Sequence, residues 1–380
     1  MTQAYIVDGL RTPFGRRNGG LSQVRPDDLA AHALRSLVER TKVQPIEVED
    51  VRLGCVTQVG EQGYNIGRLA PLIAGFPVEV PGVSVNRMCG SSLETINQSA
   101  QAIMAGVHDI MIAAGVESMS RVPMGSDGSS FSDELVSRYN IVPQGISAEM
   151  IAEKWHLGRQ ALDSFSLQSH QRALKAQAEG YFDKEIVAVQ APQPDGTVRT
   201  VTMDEGPRAD TTLEKMATLR TVFKPDGVVT AANSSQITDG ASALLLASET
   251  ALKKYDWKPR ARIVAMTVVG VDPVIMLTGP IPATSRVLQK AGLKLSDIDV
   301  VEINEAFASV VLAWGEEYHP DWTRVNPHGG AIALGHPLGA SGGRLVLTAL
   351  NHLEQEGGRY GLITMCIGWG MAIATIIERL

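Results

Sequence analysis

The chain has 380 residues, 44% hydrophobic and 20% charged, with a mean hydropathy of +0.02 and a formal net charge of −7 from 34 basic and 41 acidic side chains. That length allows two or three domains with large buried cores, and the acidic balance argues against a general nucleic-acid binder. Cys55, Cys89 and Cys366 form neither a C-x-x-C nor a disulfide scaffold. There is no signal-like apolar start and no apolar run near the ~18–20 residues of a membrane span, so a cytoplasmic protein without membrane segments is expected.

Taken in chain order, short β-rich runs alternate with amphipathic helices. "AYIVDGL", "DVRLGCVT", "GVSVN" and "DIMIAAG" read as strands, "PDDLAAHALRSLVERT" and "SSLETINQSAQAIMAG" as helices. Apolar strands between such helices predict an α/β fold with a largely parallel, buried sheet. From about 118 to 237 the chain turns rich in Gly, Ser, Asp and Pro, around one helix pair in "SAEMIAEKWHLGRQALDSFSLQSHQRALKAQAEG". An insertion lying over the core is predicted there, a common place for a ligand-binding lid.

The first order then recurs. "TSRVLQKAG" followed by "LKLSDIDVVEINEAF" echoes "VQPIEVEDVRLGCVT", and "YGLITMCIGWG" echoes "HDIMIAAGVES". Asp50 pairs with Asp299, Cys89 falls near His336 and Gly115 near Cys366, each roughly 250 residues apart. Two copies of one βαβ-rich unit are predicted. The boundaries are 1–117 for the first half (completed by about 238–258), 118–237 for the loop domain and 259–380 for the second half.

Cys89 opens the predicted helix in "VNRMCGSSLETINQSAQAI". The positive end of a helix dipole favours thiolate over thiol, and a nearby base completes activation. Taken alone, a cysteine is more readily a small core residue than a reactive one, and that is the reading for Cys55 inside its strand. Cys89 differs in its Gly-Ser neighbourhood and in its counterpart, "GGAIALGHPLGASGG", where His336 precedes Pro337 at a predicted helix start. Equivalent helix N-termini of a repeat can converge at the interface between the halves, bringing thiol and imidazole together. Cys366 and Gly368 in "TMCIGWGMA" end a strand, where α/β sheets place ligands. Asn304 in "EINEAFA" ends another and can fix a water or a substrate oxygen.

Together these residues resemble the thiolases, acyl-CoA:acetyl-CoA C-acyltransferases, over essentially the whole length. The motifs are "RTPFGRRNG", "CGSS" at 89, "VESMSRVPMG" at 115, "NEAFA" at 304, "GGAIALGHPLGASG" at 329 and "CIGWG" at 366. The resemblance implies the thiolase fold: two pseudo-symmetric halves in an α/β/α/β/α layering, with an inserted loop domain that binds coenzyme A. It implies that Cys89 becomes acylated, His336 takes its proton, and Cys366 serves as acid or base at the second step. His336 with a water on Asn304 would form one oxyanion hole, and the N–H groups of Cys89 and Gly368 the other. Arg208, Ser235 and Phe307 would contact coenzyme A, which with acetyl-CoA is a substrate. No tightly bound cofactor and no metal are expected, and no zinc spacing, H-E-x-x-H or dinucleotide fingerprint occurs. A homodimer or homotetramer is implied, and a place in fatty-acid β-oxidation. Chain length, steroid against fatty acyl substrate, and the working direction stay open.

The chain departs from the family at Ala232 and Gln236, where glycine is frequent, at His328, where asparagine is usual, and at Trp369, where glycine is usual. The last two bear on the shape of the acyl pocket. For Trp369, a ring lining the pocket and a ring packed in the core are both open. Two other readings compete: a ketoacyl synthase, which Cys366 disfavours, and a non-catalytic scaffold for lipid or coenzyme A. Retention of Cys89, Asn304, His336 and Cys366 disfavours the scaffold.

Overall fold

The computed structural model describes residues 2–128 and 130–380. The first half supplies β1 (Tyr5–Arg11), β2 (Asp50–Gly54), β3 (Gly82–Val85) and β4 (Ile110–Ser118), and β5 (Thr238–Ala247) follows the insertion. The second half supplies β6 (Ala261–Gly270), β7 (Val300–Ile303), β8 (Tyr360–Ile367) and β9 (Met371–Arg379). They run in one path, β3-β2-β4-β5-β1-β6-β9-β8-β7. The order mirrors itself about the β1–β6 seam, which consists of Tyr5 opposite Arg262 and Ile6 opposite Ala261. The position of β3 is taken in the second half by Val325, which bridges Val301 in parallel. The repeat seen in the sequence is therefore a repeat of sheet order.

The longer helices are α1 (Pro26–Thr41), α2 (Ser91–Met104), α3 (Gln144–Lys154), α4 (Arg159–Ala178), α5 (Pro280–Ala291), α6 (Ala308–Tyr318) and α7 (Ser341–Glu356). α1 begins with Pro26 and the acidic pair Asp27 and Asp28, which suit the positive helix end, and stops at Lys42 in the left-handed region. Its Leu29, Leu34 and Leu37 pack on the outer face of the first half's sheet with Val51, Ile112 and Leu245. α5 and α6 cover the outer face of the second half's sheet through Val287, Val311 and Trp314. Between the sheets lie α2 and α7, where Leu93, Ile96, Leu347 and Leu350 join Met111 and Leu246 from one sheet to Ile363 and Ile373 from the other. This is the five-layered α/β/α/β/α arrangement.

The sheet is mixed, contrary to the largely parallel expectation. β5, β1, β6 and β9 run antiparallel to their neighbours, while β2–β3, β2–β4 and β7–β8 are parallel. β8 returns directly into β9 through Gly368-Trp369-Gly370, a hairpin that needs no crossover helix.

The "RTPFGRRNG" motif is a staple to the insertion. The Arg11 guanidinium is fully buried; its Nε donates to Glu185 at 2.7 Å and its two Nη atoms donate to Asp204 at 2.6 and 2.9 Å. Glu185 also accepts from Asn351 of α7 at 2.9 Å. Removing one partner of such a cluster strands a buried charge. Among the described residues no helix is long and apolar enough to cross a membrane.

Candidate active site

The N-termini of α2 and α7 meet in the middle layer. Gly343 N–H donates to Ser92 Oγ at 3.1 Å, and a Cβ on Gly342 would stand 2.4 Å from the Leu93 backbone nitrogen. Only glycine permits that approach. Cys89 and His336 sit in the segments leading into these two helices, so the convergence expected of a repeat is present.

Cys89 is held on a tight turn. Met88 before it has φ 45°, a conformation costly for a residue with a Cβ. Ser91 Oγ donates to Met88 O at 2.6 Å and accepts from Arg87 N–H at 3.0 Å, which fixes the turn. The thiol is buried, with 4% of its surface exposed. Burial pushes it up to about 11, against the lowering effect of a hydrogen bond from Gly368 N–H and of its own N–H, and the Glu117 carboxylate adds to the rise. Desolvation thus outweighs the helix dipole that favours the thiolate. A proton acceptor is therefore required. Cys366, fully buried in β8, is pushed well above the ordinary thiol range by burial and by the neighbouring Cys89.

His336 is clamped from both sides. Nδ1 lies 2.6 Å from Ser341 Oγ and Nε2 lies 3.2 Å from Asn304 Nδ2. The Ser341 hydroxyl has one proton, which it donates to Pro337 O at 2.9 Å. The network therefore assigns the ring proton to Nδ1 and leaves the lone pair on Nε2, facing the Asn304 amide. Burial, with the positive charge of Arg344, lowers the imidazole to about 3, so it is neutral at physiological pH. Asn304 Oδ1 is buried and has no partner among the described residues. It is an acceptor suited to a water, as the resemblance implied.

Sequence reasoning missed Ser341 and Glu117 here and met Gln236 only as a departure from glycine. Ser341 was visible only as part of a small-residue run. Glu117 accepts N–H groups from Val56 at 3.0, Thr57 at 3.1 and Gly339 at 2.9 Å, together with the Gln62 amide at 2.8 Å. It thereby ties the end of β2 to the loop between His336 and α7. Gln236 donates through Nε2 to the carbonyls of Gly206, Ile332 and Ala333 at 3.0, 2.9 and 3.0 Å. This departure from glycine fastens the Arg208 loop to the segment before His336.

The residues expected at coenzyme A divide into two groups. Ser235 N–H donates to Ala306 O at 2.9 Å, and Phe307 packs edge-on against Phe223 at 6.0 Å between ring centres, so both adjoin the Asn304 loop. Arg208 is exposed farther out, its N–H donating to His170 Nδ1 at 3.2 Å. Two expectations about pocket shape change. His328 packs on Tyr181 at 4.1 Å between ring centres and pairs with His352 at 2.9 Å, between α4 and α7. Its side chain is engaged there rather than with the cysteines. Trp369, at φ 66°, is 42% exposed and meets Phe131 edge-on at 5.1 Å, so it is not a core ring. Among the described residues no His, Cys, Asp and Glu group of metal-binding size occurs.

Two family models match: the thiolase N-terminal domain over residues 4–250 and the thiolase C-terminal domain over 257–379. A β-ketoadipyl-CoA thiolase of Acinetobacter baylyi is 50% identical over 400 residues, covering 100% of both chains. A steroid 3-ketoacyl-CoA thiolase of Mycobacterium tuberculosis is 50% identical over 393 residues, covering 100% of this chain and 95% of its own. The crystal structure of the Bacillus anthracis acetyl-CoA acetyltransferase superposes with a TM-score of 0.93 at 37% identity, covering 100% of this chain and 99% of that one. That of human mitochondrial 3-ketoacyl-CoA thiolase gives 0.91 at 38% identity with the same coverage. With both halves matched over nearly their whole length, the chain belongs to the thiolase family and is an acyltransferase.

Proposed function

We propose that the chain cleaves 3-oxoacyl-CoA by thiolysis, or runs the reverse condensation, through an acyl group carried on Cys89. The observation that carries this reading is the neutral imidazole of His336, its proton held on Nδ1 by Ser341 and its Nε2 lone pair facing the Asn304 amide, at a helix start that meets the helix start of a thiol too desolvated to ionise alone. In the cleavage direction Cys89 passes its proton to His336 Nε2 and attacks the 3-oxo carbon. The C2–C3 bond breaks, leaving an acyl thioester on Cys89 and the enolate of acetyl-CoA, which takes a proton from Cys366 at C2. Coenzyme A then gives its thiol proton to the Cys366 thiolate and attacks the acyl-Cys89 carbonyl. Acyl-CoA departs and Cys89 recovers its proton from His336.

The two oxyanions have separate partners. Gly368 N–H reaches Cys89 Sγ, so with the Cys89 N–H it suits the oxygen on the carbon bonded to that sulfur. Protonated His336 and a water on Asn304 suit the enolate oxygen. Ser235 and Phe307 would line the pantetheine arm and Arg208 would meet the nucleotide end; no metal or resident cofactor takes part. We place the enzyme in the cytoplasm as a homodimer or homotetramer. Its substrates are 3-oxoacyl-CoA esters of the kind named for its relatives, with fatty-acid β-oxidation among the settings. Incubation with acetoacetyl-CoA followed by peptide mass spectrometry should find acetyl on Cys89. Acetyl on Cys366 or Cys55 instead would overturn the assignment.

A further inference from the structure

The side chains that hold the two nitrogens of His336 come from different elements. Ser341, which holds Nδ1, opens α7; Asn304, which faces Nε2, follows the end of β7. One turn along α7 from Ser341, Arg344 Nη1 donates to Glu302 Oε2 at 2.8 Å, and Glu302 lies two residues before Asn304 on β7. Both side chains are fully buried. We infer that the Arg344–Glu302 pair is a cross-brace that fixes α7 against β7 and so sets the orientation of the His336 imidazole between Ser341 and Asn304. Arg344 and Glu302 are thus positioning residues for the proposed proton transfer.

Stability does not account for the pair. Glu302 Oε1 and Arg344 Nε and Nη2 are buried and have no partner among the described residues. An ion pair left with unsatisfied polar atoms is commonly no better than apolar side chains of similar volume. The site is also crowded with charge: burial pushes Glu302 up against the pull of Arg344, with Glu305 and Glu185 adding to the rise. Burial likewise raises Glu305, which accepts from Ser169, Asn326 and Ile332 N–H. Farther off, Glu185 is engaged by Arg11, Thr348 and Asn351. The bridge between α7 and β7 is a single N–H···O bond, so a lysine at 344 can reproduce it, whereas a two-pronged pair would need arginine.

The inference rests on His336 acting as the base for Cys89, and its test separates the two ideas. In the double variant Glu302→Leu/Arg344→Met, thermal denaturation should be retained. kcat should fall ~10- to 100-fold, as for a misplacement of about an ångström, with KM within about twofold. Alkylation of Cys89 by iodoacetamide, which needs no acyl substrate, should slow by a similar factor. Arg344→Lys alone, with the bridge kept, should restore both rates to within about threefold of wild type, and it serves as the decisive variant if the double variant does not fold. A folded double variant with unchanged kcat and alkylation rate would overturn the brace. So would a folded Arg344→Lys enzyme as slow as Arg344→Met. An inactive wild type whose Cys89 alkylation still depends on residue 344 would overturn the function and leave the brace standing.

Discussion

Ser341→Ala removes one oxygen from the catalytic centre and leaves the carbon framework of α7 intact. Its hydroxyl accepts from His336 Nδ1–H at 2.6 Å and donates to Pro337 O at 2.9 Å, with both side chains buried. Without it, the buried Nδ1–H loses its acceptor, which costs roughly 1–3 kcal/mol. The alternative is for the proton to move to Nε2, where it faces the Asn304 amide donor 3.2 Å away and can no longer accept from Cys89. Either outcome weakens the base by the same order. At 1.36 kcal/mol per decade, acylation should slow by roughly 5- to 150-fold. Rapid-quench measurement of acetyl-Cys89 formation from acetoacetyl-CoA reads that step directly, and the melting temperature controls for folding. Acylation within twofold of wild type in a folded variant would refute both the tautomer assignment and the role of Ser341.

Cys366→Ala should slow turnover by ~10²–10⁴-fold while Cys89 still acylates, since general acid–base help at the second step is lost; near-normal turnover in both directions would contradict this role. Trp369→Gly should leave stability nearly unchanged, because glycine relieves roughly 1–2 kcal/mol of left-handed strain and the ring is 42% exposed. If the ring borders the acyl path, kcat/KM across a 3-oxoacyl-CoA length series should shift by ~1–3 kcal/mol, graded with length; a flat profile excludes it from specificity. His328→Asn should lessen acid destabilisation. Burial and the neighbouring His352 lower His328 from 6.5 to about 3, so the fold holds the neutral form, with stability complete above about pH 6.5 and lost as pH falls toward 3. Chemical denaturation at pH 6.5 and 5 should show a loss smaller in the variant by roughly 1–2 kcal/mol; equal losses would remove His328 from the account.

Short apolar runs and helical periodicity placed β1 to β4, α1 and α2 within a few residues, because each has clear punctuation at its ends. The repeat located Cys89 and His336 in corresponding places, and glycines at 342 and 343 show why: two helix starts in contact tolerate nothing larger. Strand direction was not legible, since an antiparallel β9 and a crossover strand carry the same apolar pattern. Helix position is written in the sequence and desolvation is not, so the dipole at Cys89 was legible and the larger opposing effect of burial was not. Ser341, Glu117 and Gln236 act through partners between about 5 and 220 residues away, a separation no local pattern records. His328 stood out only as a departure from the family's asparagine, and its contacts with Tyr181 and His352 come from distant parts of the chain.

The β1–β6 seam has a consequence for biosynthesis. β1 is made early, yet its partners are residues 242–247 and 261–262. At ~5–20 residues per second, on the order of ten to fifty seconds of translation separates the strand from either neighbour. Through that interval both edges of an apolar strand lack pairing, and the inner face of the first half awaits α7, made later still. Contacts of such long sequence separation form slowly. The emerging polypeptide is thus exposed to strand-to-strand aggregation until the partners of β1 and then α7 have been synthesised.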